Sequence, residues 1–487
     1  MHKTTSLPFK LVLCGLLLAA AFMAQSWASK AVFIAFVSLV LLSLLIDWLA
    51  ERLPKVVTKI RKNYESISLG IETIVVPNKD IKGKDVERLF MHEHADLKTG
   101  GIVRTMIRWW HEPSGECHQK LIEKNEIYAQ VAPVTARLLT SMSPAAMREL
   151  AVKYVDEVVR REKKRITGLS VVRIRSFVYP IAVSFLYEFI FRETCPKEAM
   201  SLISISASDV AKSTRAYSRR DMKARDKLFR YLRNLIEKKD GCPHIFGEDS
   251  GLSLDQKAKY LQSVWFHTGI VQITRMTGNA LTALAKNKRC LVKLRAEEGE
   301  ERPYLNYVIM EILRLYPGVG RTNRVTSKDI DLTDKLRIPA GTNVVFDLET
   351  HQLHGFDDAP KFIPERWEGA RRKDSNYMPF GVGKRRCPGE PISLVVAREI
   401  ILGVTTAFDI DAPITREIGR PDRPELPNDM CCLSPRGSSD ASGGMKLYIL
   451  RRLLGWRLTL ELVKNSLTQI YVMPRNVRDA IRDEKFR

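Results

Sequence analysis

The sequence predicts a mainly α-helical fold with a smaller β region, preceded by one or two N-terminal transmembrane helices. Three observations carry this expectation. The middle of the chain repeats apolar residues at helical spacing, as in Met147, Leu150, Ala151, Tyr154 and Val158. After Pro317 the texture changes to short β-prone pieces punctuated by Pro339 and Gly341. At the N-terminus two uncharged runs, Leu11 to Ser29 and Ala31 to Ile46, flank Lys30, and each is near the roughly 20 residues a bilayer-crossing helix needs.

Taken in order, Lys3 and Lys10 precede the first run, and the small residues between Ala24 and Ala28 make a signal peptide the competing reading. Arg52, Lys55, Lys59, Arg61 and Lys62 follow the second run, and juxtamembrane positive charge marks the cytoplasmic side. The bulk of the chain is therefore expected in the cytosol. Ile71 to Val76 reads as a strand and Val86 to Phe90 as helical. Ser143 can cap a helix reaching Arg165, with Pro144 at its first position. Further helices are expected at 176–193, 198–238, 253–298 and 303–316. Ile330 to Leu332, Leu336 to Ile338 and Asn343 to Phe346 are the β-prone pieces, and a long helix resumes over Glu390 to Ala407. Ile410 to Gly444, rich in Pro, Ser, Gly and Asp, reads as loop, while 453–473 is apolar and amphipathic without an assigned role. The division this implies is an anchor over 1–50, one catalytic domain over 51–452 and a C-terminal extension over 453–487.

With 487 residues, 45% hydrophobic and 28% charged, the chain is neither disordered nor collagen-like. Its net charge of +22 favours anionic partners such as nucleic acid, acidic lipid or acidic redox proteins, with a solvated basic surface as the plainer alternative. No nucleic-acid-binding motif accompanies the charge. Eight cysteines are too few for a disulfide framework, and the adjacent Cys431 and Cys432 are poorly placed for an ordinary bridge, so a reducing compartment is expected.

The most specific stretch is Phe380-Gly-Val-Gly-Lys-Arg-Arg-Cys387-Pro-Gly-Glu. It sets one cysteine in a glycine-rich, basic loop ahead of a helix, where Lys384, Arg385, Arg386 and the helix N-terminus all favour thiolate. Gly381, Gly383 and Gly389 let backbone approach a flat cofactor. The spacing of Phe380, Gly383, Arg385, Cys387 and Gly389 resembles the haem-binding signature of the cytochrome P450 family at every position. Glu311 and Arg314, a Glu-x-x-Arg pair before Pro317, and Pro364-Glu365-Arg366-Trp367 resemble two further segments of that family, in the right order. Fragments such as LRLYPGVGRTNRV and IPAGTNVV extend the resemblance over about 253–409.

The resemblance implies the cytochrome P450 fold and a haem b whose iron is held by the Cys387 thiolate, the ligation that favours O–O cleavage. It implies that Arg385 donates to a haem propionate, that Phe380 packs under the ring, and that Glu311, Arg314 and Arg366 form a buried network on the thiolate side. The family's Trp-x-x-x-Arg pattern of propionate donors is not found. Arg137 matches its Arg end with Ala132 or Pro133 where the Trp would stand, and His118 is the other candidate. The largest departure falls on the distal helix. Aligned through ALAKNKRCLVKLRAE, Thr268-Gly269-Ile270-Val271-Gln272 takes the place of a motif whose acid and alcohol deliver protons to dioxygen. Val271 replaces the acid and Gln272 the alcohol, and Gln cannot supply a proton by titrating in the useful range. Thr268 and Thr274 are the nearby hydroxyls.

The reading this supports is a membrane-anchored haem-thiolate monooxygenase of the endoplasmic reticulum, its catalytic domain on the cytosolic face. It would oxidise a lipophilic small molecule in specialised metabolism, with electrons from an NADPH-dependent flavoprotein reductase docked on the basic surface. The alternatives are an isomerase, a lyase or a peroxide-driven oxidase on the same scaffold, and a non-catalytic haem-binding membrane partner.

Overall fold

The computed structural model describes residues 27–65, 72–95, 101–117, 126–248, 250–334, 336–370, 376–383, 386–413, 430–438 and 444–485. The first uncharged run as far as Ser26 lies outside them, as do His118, Lys384 and Arg385.

Helix dominates. In chain order the helices are α1 (Trp27–Glu65), α2 (Lys84–Met91), α3 (Gly101–Trp110), α4 (Glu126–Thr140), α5 (Pro144–Arg165), α6 (Ile174–Phe191), α7 (Lys197–Ser213), α8 (Met222–Lys238), α9 (Leu254–Tyr260), α10 (Ile270–Lys286), α11 (Lys288–Ala296), α12 (Pro303–Leu315), α13 (Leu348–Leu353), α14 (Glu390–Ala407) and α15 (Met445–Lys485). The capping expected at Ser143 is present: its side chain accepts from Ala146 N at 3.2 Å, with Pro144 at the first position. At α9, Ser253 and Gln256 close a reciprocal capping box. The stretch expected as one helix over 198–238 is two, α7 and α8, and α8 restarts where Asp221 accepts from Ala224 N at 3.1 Å.

The strands form three small sheets. β1 (Thr73–Val76) pairs in parallel with β6 (Asn343–Asp347), Thr73 opposite Asn343, and β3 (Arg321–Val325) pairs antiparallel with the other edge of β6. β4 (Ile330–Thr333) and β5 (Leu336–Ile338) form a hairpin. β2 (Ser170–Arg173), β8 (Met430–Pro435) and β7 (Phe408–Asp411) form an antiparallel sheet in the order β2-β8-β7. The expectation of loop from Ile410 onward fails at both ends, because β7 extends to Asp411 and β8 is buried from Met430 to Ser434, with Cys431 and Leu433 in the main core.

The main core lies between α5, α6, the α9–α10 region and α14. Helix α6 is apolar all round, long and apolar enough to cross a membrane, yet 78% of it is buried, as expected of a core helix. Gly403 lets α14 and α5 approach closely, since a Cβ there would sit 2.3 Å from Val155 Cγ1. Helices α1 and α15 run through the expected boundaries at 50 and 453, and they pack along each other. The C-terminal segment without an assigned role is thus part of one 41-residue helix.

Candidate functional site

The loop that leads into α14 is folded tightly around Cys387. Gly381 N donates to Met378 O at 2.9 Å, Arg386 N to Gly383 O at 3.1 Å and Cys387 N to Phe380 O at 2.8 Å. Gly381 and Gly383 hold φ of 72° and 70°, left-handed values that L side chains avoid. Both press on α2: a Cβ on Gly381 would come 3.3 Å from the Phe90 ring and one on Gly383 3.0 Å from Met91 Cγ. Arg386 forks onto Glu390, the first residue of α14, at 2.7 and 2.8 Å. The cysteine is thereby fixed at the start of α14.

Cys387 lines a cavity of about 320 Å³. Phe380, Gly389 and Phe90 line it from the cysteine loop and α2, and Trp265, Thr268, Gly269 and Gln272 from the α9–α10 helix. Arg324 of β3, Arg386 and Arg275 are its arginines. The distal helix is continuous from Leu254 to Lys286, but its turns widen over Leu261–Gly269 into a π segment, a distortion frequent at functional sites. Thr268 Oγ1 donates to Ser263 O, five residues back, at 2.9 Å. Gln272 lies against Gly318, where a Cβ would meet its Oε1 at 2.6 Å. That oxygen is buried and has no hydrogen-bond partner among the described residues. Val271 packs against the main core instead. Thr274 donates to Ile270 O at 2.7 Å and is not on the cavity wall, because two residues along a helix turn it about 200° away from Gln272. Arg275 faces the cavity and donates to Gly318 O at 3.0 Å, and burial lowers its guanidinium pKa from the ordinary value.

Glu311, Arg314 and Arg366 are brought together. Arg314 forks onto Glu311 at 2.9 and 2.8 Å, Arg366 Nε reaches Glu311 Oε1 at 3.1 Å, and Trp367 Nε1 donates to Oε2 at 3.0 Å. Both Glu311 and Arg314 are fully buried. Gln352, which the sequence did not single out, joins this region to the cysteine loop. Its Nε2 donates to Leu313 O at 3.2 Å while its Oε1 accepts from Met378 N at 3.0 Å.

Arg137 is not at the cavity. Its Nη1 points to Ile245 O at 3.4 Å and braces Gly247, because that face of α4 packs on the Pro243–Phe246 turn. Thr135, two residues earlier, takes the cavity side and bonds Tyr260 Oη at 2.7 Å. The cationic wall comes instead from Arg324, which lies over the Phe90 ring at 4.6 Å. No sequence signal marked it: between Asn323 and Val325 it reads as one more polar strand residue.

Residues 274–425 match the family model described as cytochrome P450. Among curated proteins the chain is 30% identical over 249 residues to cytochrome P450 monooxygenase 128 of Postia placenta, covering 43% of this chain and 44% of that one. It is 36% identical over 120 residues to thromboxane-A synthase of Mus musculus, covering 23% and 22%. It is 29% identical over 154 residues to tabersonine/lochnericine 19-hydroxylase of Catharanthus roseus, covering 27% and 30%. The chain thus spans less than half the length of these relatives. Among solved structures, a cytochrome P450 in complex with arachidonic acid aligns over 81% of this chain and 97% of its own, with a TM-score of 0.60 at 17% identity. A six-coordinated cytochrome P450 from Thermus thermophilus aligns over 72% and 90%, TM-score 0.56, 19% identity. The fold, mainly helical with small sheets, is the cytochrome P450 fold. Over residues 274–425 the chain is similar to the cytochrome P450 family, whose members carry haem with a cysteine axial ligand.

Proposed function

We propose that the protein is a membrane-anchored haem-thiolate monooxygenase that oxidises a lipophilic small molecule, with 51–452 as its catalytic body. The observation that carries the reading is Cys387, presented from a hydrogen-bonded loop into an apolar cavity beneath the distal helix. The donor set fits the cofactor: one thiol, an aromatic floor from Phe380, and cationic donors at Arg324 and Arg386 for its propionates, with Arg385 as a third from the sequence. When bound, a thiolate-ligated haem supplies dioxygen activation. The chain's own task is to orient substrate, exclude bulk water and deliver protons. With Val271 turned into the core, the polar groups of the distal helix at the cavity are Thr268, Gln272 and Arg275. The unpartnered Gln272 Oε1 is placed to accept from one ordered water, and Thr268 lies one turn away on the same wall, so protons travel through water rather than through a titrating side chain. The substrate class follows from the apolar lining, and specialised metabolism is consistent with names such as the hydroxylase of Catharanthus roseus and cyclooctat-9-en-7-ol 5-monooxygenase of Streptomyces melanosporofaciens. Electrons come from an NADPH-dependent flavoprotein reductase, and the cytosolic face of the endoplasmic reticulum is the proposed location.

A second reading, an isomerase or lyase, is favoured by Val271 and Gln272 and by the synthase among the relatives. Coupled measurement of oxygen, NADPH and product separates the two. The monooxygenase consumes one oxygen and one NADPH per product and stops without either. Product formed anaerobically without reductant overturns it.

A further inference from the structure

Helix α15 carries two apolar faces. Leu454, Leu458, Leu462 and Val472 are buried on one, against the body and α1. The other is exposed. At 3.6 residues per turn, Leu453, Trp456, Leu460, Leu467 and Tyr471 fall within an arc of about 60° on the opposite side, all five are exposed, Leu453 by 62%, and Arg452 beside them donates to the exposed Tyr448 Oη at 3.1 Å. The stripe ends three residues before Pro474. A contiguous exposed apolar strip of this length marks a docking surface rather than scattered surface leucines.

Chemistry along the strip selects the occupant. Lys446, Arg457, Lys464 and Arg475 form a row down one border of the arc, spaced along the whole helix. No acid lies within the arc, and the nearest, Glu461, stands beyond the cationic border and pairs with Arg457 at 3.4 Å. Tyr448, Trp456 and Tyr471 have an apolar body with a polar tip, the amphipathic side chains enriched at the headgroup level of bilayers, and long cations beside apolar surface keep their charges in the headgroup layer. Helix α1, packed along α15, exposes Leu39, Leu41, Leu42, Leu45 and Trp48 from and beside its uncharged run, then turns basic at Arg52, Lys55 and Lys59.

We infer that α15 is an interfacial membrane helix: its outer face lies in the headgroup and acyl boundary of an anionic bilayer, alongside α1, so that the two ends of the chain form one lipid-facing plate. The apolar arc supplies buried area and the cationic row the attraction to anionic headgroups. The inference goes beyond the anchor proposed at the N-terminus, which places no part of 445–485 on lipid, and it does not depend on the haem assignment.

The test uses the full chain with vesicles of phosphatidylcholine and phosphatidylserine, two to one, containing a phosphatidylcholine with a photoreactive diazirine in its acyl chain. Irradiation should place lipid adducts on Leu453, Trp456, Leu460 and Tyr471 and leave Leu454, Leu458 and Leu462 unmodified. The triple variant Leu453→Ser, Trp456→Ser, Leu460→Ser changes only exposed positions. It should unfold at the parent temperature and keep adducts on α1, yet lose those on α15 and have its vesicle affinity lowered about tenfold or more. Adducts confined to α1 and the residues before it overturn the inference. So does hydroxyl-radical labelling, without lipid, that finds the strip shielded by the chain's own first uncharged run or, in a concentration-dependent way, by a second copy or another protein.

Discussion

Gln272 has a buried carbonyl oxygen without a partner among the described residues, held in place by the bare backbone of Gly318. An unpartnered buried acceptor is costly unless water or ligand satisfies it, so the position is expected to hold a water in the working enzyme. Replacing Gln272 with Leu removes the acceptor at similar volume. The variant should keep its haem spectrum and substrate-induced shift but lose product per NADPH, the electrons emerging as peroxide, which a peroxide assay run alongside NADPH oxidation measures. A second residue sets an acid limit. His351 is fully buried, its ring nitrogens without a hydrogen bond among the described residues and Glu87 Oε1 3.9 Å from Nε2, and burial first, then Lys84 and His354, push its pKa down to about 4. The unfolded chain takes up this proton near pH 6.5 and the folded one does not, so stability is lost as pH falls from 6.5 towards 4. At pH 5 the loss from this one group is about 2 kcal/mol. Urea unfolding at pH 7.5 and pH 5 should show that His351→Gln narrows the gap between the two midpoints.

At the scale of elements, close packing and buried charge carry the fold. Gly403→Ala drives a methyl into Val155 and should cost about 1–3 kcal/mol, while the double variant with Val155→Ala should recover part of that loss in thermal unfolding. Arg314→Ala leaves Glu311 with Arg366 as its remaining arginine and opens the buried network beside the cysteine loop. The expected cost is about 3–5 kcal/mol, read as loss of haem content and soluble yield together. The elements with local signals were legible: Ser143 with Pro144 gives the start of α5, Pro317 marks the change from helix, and Pro339 and Gly341 separate β5 from β6, whereas β3 was not read. The helices α3 and α4 were not, since their apolar residues face partners distant in sequence, Trp109 against Val477 for one. The strand β8 was missed for a related reason. Cys431 and Cys432 read as a curiosity of spacing until β2 and β7 pair with them from either side. At the site, motif residues were readable because spacing encodes the loop, whereas Arg324, Arg275 and Gln352 reach the cavity or its loop through tertiary placement alone.

For the whole molecule, the chain ends matter as much as the middle. Helix α15 covers Trp109 and Met106 through Val477 and Ala480, covers β8 through Leu447 and Leu454, and fixes Arg215 O through Gln469 at 2.8 Å. It packs on the catalytic body along much of its length, and its amphipathic sequence was legible without its partner α1. At the other end of this scale is the thiolate ligation assigned to Cys387, the cysteine at which the fold, the cavity and the family meet. It is tested most directly by the carbon monoxide difference spectrum of the reduced full-length protein and of Cys387→His. The parent should show the red-shifted Soret band of thiolate ligation and the variant should lose it while retaining the circular dichroism of the fold. A parent without that band, or a variant that keeps it, would contradict the assignment of Cys387 as the ligand.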